Sequence, residues 1–453
     1  MSEVWQAVAL GTLSAGLCWV AQRPRLAVLA WLALVPLDIV VLTKPPLYAL
    51  IAAGWAGMLC TTPVVVDRTQ QRLIRLVAVS SALSWSAAYG LGCWVYQHVA
   101  TPWAAVLLLT AAGVCALLPL RIAGAPRWVY NPIARTQESC LPVVHIARLG
   151  GDLLVSAVLV GVNGAIALLL SAAPPSAAHV GAAASVLIGA ALALGYGMQR
   201  LRRITRTIDG AERVRMAAVA VNVPPPAESA ITGVWAALSP LAGDVAGALA
   251  RYEQPLQRAA AEGAEIVILP ECAVLVDDAT RATWLDSLAG WAKRERVAII
   301  APYVDGSVPS NELAIFDASG ELVARYEKQH PAIGLEPRPS ARTPPGPHRI
   351  RTRHRTLPLS TVICVDLDYA DVVRVARKVG GVLHAPSNDW PIFEHMHHRT
   401  AVWAAAMSGV SVLRSTGHGI SSVRDGAGRV LAAQSSLSGP VVLVVDVPLA
   451  AQN

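Results

Sequence analysis

Three side chains in the second half of the sequence are of the types that acyl transfer needs. Each closes a β-type run: Glu271 in ILPECA, Lys328 in ARYEKQHP and Cys364 in STVICVD. Taken singly, each has a plain explanation. A Glu after a strand and a Pro is ordinarily a turn residue or a charge at a helix N-terminus. A Lys in the run Arg325-Tyr326-Glu327-Lys328 is ordinarily solvated, and a Cys after Thr-Val-Ile is ordinarily a core filler. Together they form a chemical set. A thiol of pKa about 8.5 is mostly protonated at neutral pH, so a nucleophilic Cys needs a base and a cationic or dipolar surrounding. A carboxylate supplies the first and an ammonium the second, and the same ammonium can later hold an oxyanion.

The elements that must position these groups begin near Met216. Short β-rich runs (MAAVAVNV, AEIVILP, VAIIAPY, LAIFD, STVICVD, GVLHAP, SVLRS and VVLVVDVPL) alternate with helical stretches or with Gly and Asp turns. Asp317 to Gly320 (DASG) and Asp425 to Gly428 (DGAG) read as hairpin turns. The alternation predicts an α/β domain with its own core over residues 216–448, followed by a short tail, 449–453. The proline-rich stretches Pro224 to Pro226 and Pro337 to Pro347 read as loops, and the chain shows no internal repeat.

The first half has a different texture. Over 453 residues the hydrophobic fraction is 54% and the charged fraction 15%, which excludes an ordinary water-soluble globule for the whole chain. Apolar runs long enough to cross about 30 Å of hydrocarbon lie near Val4 to Val20, Leu26 to Leu42, Leu47 to Val66, Leu73 to Val95, Trp103 to Leu120, Leu153 to Ala172 and Val180 to Met198. The first has no basic n-region and is read as a retained helix. Residues 1–200 are thus expected to form a polytopic α-helical membrane bundle of about seven helices, and the arginine-rich residues 201–215 a basic linker. The net charge of +7 does not point to nucleic acid, because the arginines fall in the connectors between apolar runs, as topology signals do. Those connectors alternate between basic and charge-poor, and if all seven runs span, everything after Arg206 is cytoplasmic. The connector from Arg121 to Asp152 has room for interfacial structure. Asp38, within an apolar run, is either a functional group at depth or a solvated interfacial one. Seven cysteines, mostly in apolar segments (Cys18, Cys60, Cys93, Cys115), imply no disulfide framework.

The order Glu271, Lys328, Cys364, in the contexts LPE, YEK and ICVD, resembles the Glu-Lys-Cys triad of the nitrilase (carbon-nitrogen hydrolase) superfamily. With a membrane half attached, the chain is similar to the apolipoprotein N-acyltransferase branch. Asn311 in the strand before the lysine motif, Glu336 eight residues after Lys328, Ser387-Asn388-Asp389-Trp390, and Leu413-Arg414-Ser415-Thr416-Gly417-His418-Gly419-Ile420-Ser421 agree with it. The resemblance covers residues 216–448. It implies an α-β-β-α sandwich and catalysis by Glu271 as base, Cys364 as nucleophile and Lys328 as oxyanion holder. Glu336 supports Lys328, and Asn311 and Asn388 belong to the surroundings of the site. It further implies a phospholipid acyl donor, a thioester intermediate and a lipoprotein or other amine acceptor. The setting would be the lipid bilayer of a bacterial inner membrane, with no cofactor.

The sequence also departs from that family. Val365 and Asp366 follow the nucleophile where Tyr and Glu are usual, so Asp366 keeps a carboxylate on a shorter arm and is expected to support the active site from there. The segment between Lys328 and Cys364 is short, Ala401 opens an AVWAAAMSG run where a Glu is usual, and the sequence ends at Asn453 without a final apolar segment. The family's catalytic domain is periplasmic, whereas the arginine pattern favours the cytoplasm. Three alternatives stay open. One is a divergent paralogue of the kind associated with plasmid conjugal transfer, with an unknown acceptor. Another is an amidase or nitrilase activity on a small substrate, tethered by the helices; a scaffold keeping the triad as a relic is a third, weaker reading. His395, His397 and His398, at i, i+2 and i+3, do not share a helix face and read as a solvated or interfacial patch rather than a metal site. Apolar loops at Pro331 to Leu335 and Trp390 to Phe393 are expected to serve as a lid.

Overall fold

The computed structural model describes residues 3–61, 71–221, 244–308, 310–331, 336, 346, 348–389 and 394–450. They divide into two compact units, Met1–Arg202 and Arg203–Asn453.

The first unit is helical: α1 (Glu3–Ala21), a 3-10 segment (Pro24–Trp31), α2 (Val35–Thr43), α3 (Pro46–Thr61), α4 (Gln71–Val99), α5 (Pro102–Cys115), short helical turns between Leu118 and Val144, α6 (Ala147–Ser171) and α7 (Ala177–Asp209). Six helical segments among the described residues are long and apolar enough to cross a membrane, and Pro46–Cys60 is a shorter apolar helix. The seven apolar runs of the sequence therefore fall on six segments of spanning length and one shorter helix; residues 62–66 of the third run lie outside the described residues. Their outward faces are apolar: Trp5 is 65% exposed, Leu107 68% and Leu192 71%. Water would not tolerate so continuous an apolar face, whereas hydrocarbon would. Small residues let the helices approach. A Cβ on Gly11 of α1 would come 2.6 Å from the Ala52 carbonyl oxygen of α3.

Polar side chains inside this unit are spent on backbone and on one another. Asn163 accepts from the Leu34 N–H at 2.8 Å and donates to the Ala30 carbonyl at 3.0 Å, fixing the irregular backbone before α2. Asp152 accepts from Tyr130 Oη at 2.7 Å and Asn131 Nδ2 at 2.8 Å, so the long connector carries a buried polar cluster. Asp38 is buried rather than solvated, and neither of its carboxylate oxygens has a hydrogen-bond partner among the described residues. Residues 201–215, read from the sequence as a linker, are helix through Asp209 and strand from Arg213.

The second unit is built on two mixed sheets. The strands are β1 (Arg213–Ala220), β2 (Ile266–Ile268), β3 (Leu275–Val276), β4 (Ala298–Asp305), β5 (Ser310–Phe316), β6 (Leu322–Glu327), β7 (His348–Arg351), β8 (Thr356–Thr361), β9 (Val382–His384), β10 (Ser387–Asn388), β11 (Ser411–Arg414), β12 (Thr416–Gly417), β13 (Ile420–Arg424), β14 (Val430–Ser435) and β15 (Val441–Pro448). One sheet runs β15-β1-β2-β4-β5-β6 with β3 beside β4. The other runs β14-β13-β11-β9-β8-β7, and β10 pairs with β12. Side chains alternate by face. In β1, Val214, Met216 and Ala218 enter the layer between the sheets, packed with Leu359, Val382 and Leu413 of the other sheet. Ala217 and Val219 face the opposite way, toward α8 (Val245–Ala261) and α9 (Arg281–Glu295). Behind the second sheet, α10 (Ala370–Val379) and α11 (Glu394–Ser408) close a third apolar cluster. The order helix, sheet, sheet, helix is the α-β-β-α sandwich. Both Asp-Gly turns are where the sequence places them. Asp317 Oδ1 accepts from the Ser319 N–H at 2.7 Å, and Gly320 has φ +82.

Candidate active site

The site forms at strand exits of both sheets. β2 ends at Ile268 and its exit loop carries Glu271; β6 ends at Glu327 and Lys328 follows; β8 ends at Thr361 and Cys364 opens a 3-10 turn, Cys364–Asp368. Cys364 has φ +50, a backbone conformation that residues with a Cβ rarely adopt and that is held here by the Cys364 N–H donating to the Pro386 carbonyl at 2.8 Å.

Lys328 sits between two carboxylates. Its Nζ is 2.7 Å from Glu271 Oε1 and 2.8 Å from Glu336 Oε2, with all three side chains buried. Asn311 Nδ2 bridges the same pair, donating to Glu271 Oε1 at 2.8 Å and Glu336 Oε1 at 2.7 Å. The other oxygen of Glu271 accepts from the Asn388 N–H at 2.9 Å. Five of the residues singled out in the sequence, Glu271, Lys328, Glu336, Asn311 and Asn388, are therefore joined in one hydrogen-bonded set.

The electrostatics follow from burial. Burial pushes the Glu271 carboxyl up, Lys328 opposes that, and Glu336 adds to it. Burial alone would lower Lys328, but the two carboxylates outweigh it and hold the ammonium well above its ordinary value. The Cys364 thiol is pushed well up by burial and by Glu271, against the pull of Lys328. The resting site thus holds a fixed cation, a protonated thiol and a carboxylate with raised proton affinity, which is what a base taking a thiol proton requires.

Asp366 stands apart from this set and does structural work. It accepts from Tyr326 Oη at 2.7 Å and from the His330 N–H at 2.8 Å, so it ties the turn after Cys364 to the chain on either side of Lys328. His330, which the sequence reading passed over, stacks on Tyr369 at 3.5 Å between centroids. A second set was also missed. Asp389 accepts from Arg414 Nη2 at 3.2 Å on both oxygens and is 2.7 Å from His397 Nδ1. The three histidines of the EHMHHR stretch therefore do not behave as one solvated patch: His395 is exposed, while His397 packs against Asp389 and burial, with Arg424 and Arg414, lowers His398 to about 3. The Asp389 and Arg414 motifs were visible in the sequence, but nothing in their spacing ties them to His397. The lid stretches at residues 332–335 and 390–393 lie outside the described residues.

Residues 232–451 match the family model described as carbon-nitrogen hydrolase. Among solved structures, an amidase from Nesterenkonia sp. is 20% identical over 52% of this chain and 91% of its own, with a TM-score of 0.42. A cysteine-to-alanine mutant of the Nesterenkonia AN1 amidase, described as from the nitrilase superfamily, is 19% identical over 53% and 92%, with a TM-score of 0.43. A double mutant of that amidase in complex with acrylamide is 18% identical over 52% and 91%, also at 0.43. No curated protein matches the chain. The carbon-nitrogen hydrolase match thus falls on the second unit, a nitrilase-type α-β-β-α sandwich, in a chain whose first unit has helices of membrane-spanning length.

Proposed function

We propose that this chain is a membrane acyltransferase that works through a Cys364 thioester. Glu271 takes the thiol proton, the sulfur attacks the ester carbonyl of a phospholipid, and Lys328 holds the oxyanion, with Glu336 and Asn311 fixing the ammonium. The lysophospholipid departs, and an amine, such as the N-terminal amine of a lipoprotein, takes the acyl group as an amide. The observation that carries this reading is the buried Glu271-Lys328-Glu336 set beside Cys364 in a chain with six apolar helical segments of spanning length among its described residues. An acyl chain is insoluble, and a chain that carries helices of spanning length has access to a donor held in the bilayer.

Intact-mass spectrometry of the detergent-solubilised full chain after incubation with phospholipid tests it. The expected result is one added acyl chain that hydroxylamine removes and that Cys364→Ala lacks. An unmodified protein whose Cys364 still reacts with iodoacetamide would overturn it. That outcome leads to the second reading, hydrolysis of a small amide, which the carbon-nitrogen hydrolase match of residues 232–451 favours. An amidase consumes its substrate without lipid and leaves no lipid-chain adduct.

A further inference from the structure

Cys364 has a second cluster of titratable groups close to it. Its Sγ, a carboxylate oxygen of Asp389 and a ring nitrogen of His397 all lie within 4.8 Å of one another. Cys364, His397, Arg414 and Asp368 line a common cavity of about 10 Å³, room for a single water or for one heteroatom of a bound group. The trio has the atoms of a soft-metal site, but Arg414 already places its guanidinium 3.2 Å from both Asp389 oxygens, which disfavours a cation there.

The same contacts suit proton transfer. Asp389 is fully buried, yet Arg414 and His397 hold its carboxyl below the ordinary carboxylate value against the effect of burial. An ionised Asp389 accepts from His397 Nδ1–H, which makes Nε2 the ring atom that exchanges a proton. The charged and titratable groups around the ring are Asp389, Arg414 and Asp368, with Glu394, His395, His398 and Arg399 on its own helix. Arg424 reaches that helix through the His398 carbonyl at 3.2 Å. Among the helix histidines only His397 is paired with a buried carboxylate, while His398 is kept neutral.

We propose that His397, aimed by Asp389 and Arg414, is a second acid–base group of the Cys364 site, serving the leaving group and the acceptor while Glu271 serves the thiol. This rests on the reading of Cys364 as nucleophile. In acylation the thiol proton goes to Glu271, the C–S bond forms, and the bond from carbonyl carbon to leaving group breaks as that group takes a proton from the His397 imidazolium. In deacylation the attacking amine forms the C–N bond and gives a proton to neutral His397. The C–S bond then breaks, and the sulfur recovers its proton from Glu271. Every proton is returned, and both groups end as they began.

Leaving-group dependence tests the inference on the detergent-solubilised full chain. Rates of Cys364 acylation are followed by mass spectrometry with 4-nitrophenyl octanoate, whose leaving group needs no proton, and with dioctanoyl phosphatidylglycerol and octanamide, whose leaving groups do. His397→Gln should slow acylation from the unactivated donors about 100-fold and change the nitrophenyl ester rate by no more than about threefold. His397→Asn, which can keep the bond to Asp389 without a titratable ring, should behave alike and guards against misfolding of the first variant. Equal losses with both kinds of donor would make His397 structural and overturn the inference, as would no loss with either. Wild-type protein that accepts octanoyl only from the nitrophenyl ester would overturn it too, since no proton delivery would be at work. An adduct that persists in Cys364→Ala would instead sink the nucleophile reading on which the inference rests.

Discussion

At the scale of single residues, Lys328 is the group whose removal should be felt most. It is buried between two carboxylates, so deleting its charge leaves two buried anions facing each other. Breaking a buried pair from one side costs about 3–5 kcal/mol. Lys328→Met should therefore lower the melting temperature of the second unit as well as abolish the acyl adduct. Glu271→Gln leaves the Lys328–Glu336 pair in place; it should slow adduct formation about 10²- to 10⁴-fold with a much smaller change in melting. The two variants measured side by side by differential scanning calorimetry and mass spectrometry separate charge balance from base catalysis. A Lys328→Met protein that melts like the wild type would show that the buried set is not held as described. The acid form of Glu271 cannot take a proton, so acylation should fall as pH falls through its pKa. Burial raises that pKa, so the midpoint lies above 4.5. A midpoint in the pH–rate profile at or below that value would exclude Glu271 as the base.

At the scale of elements, the geometry of the candidate site depends on strand exits being locked to one another. Tyr326, the penultimate residue of strand β6 before Lys328, donates to Asp366 in the turn after Cys364 at 2.7 Å. A hydrogen bond to a buried charge is worth about 1.5–3 kcal/mol. Tyr326→Phe should destabilise the second unit by that order in urea unfolding while leaving acylation measurable, because the Asp366 bonds to His330 remain. An unchanged midpoint would mean that Asp366 does not brace the two exits. Much of this level was legible in the sequence. β1, β4 and β5 announce themselves as short apolar runs, and the Asp-Gly turns mark the hairpins, because strand period and turn chemistry are local properties. Glu271, Lys328 and Cys364 stood out because each ends such a run. The partnership of Asp389 with His397 and Arg414 was not legible. It is made by a loop, a helix and a strand that meet only once the second sheet is assembled, and residue types at those spacings have no local signature. Asp366 was legible as a retained carboxylate but not as a brace, for the same reason.

At the scale of the whole molecule, two compact units of different texture share one chain. Each has its own buried clusters: Ala105, Val106, Ala165 and Leu168 in the first, and the layers about the two sheets in the second. The seven apolar runs could be read from the sequence because length and hydropathy alone decide whether a helix can cross hydrocarbon. The buried Asn163 and Asp152 contacts could not, since they join residues up to 133 positions apart. If cohesion within each unit is of its own making, damage to one should leave the other's chemistry standing. Gly11 offers the test, because its lack of a Cβ lets α1 approach the Ala52 carbonyl. Gly11→Leu forces that backbone apart, and in a bundle whose cohesion comes from close packing it should lower the first unit's melting temperature in detergent by several degrees. The rate of Cys364 acylation by 4-nitrophenyl octanoate, which needs no donor drawn from lipid, should stay at the wild-type value below that transition. Acylation from dioctanoyl phosphatidylglycerol should fall with the bundle if the first unit delivers the donor. Loss of both reactions in proportion would show instead that the two units fold as a single cooperative body.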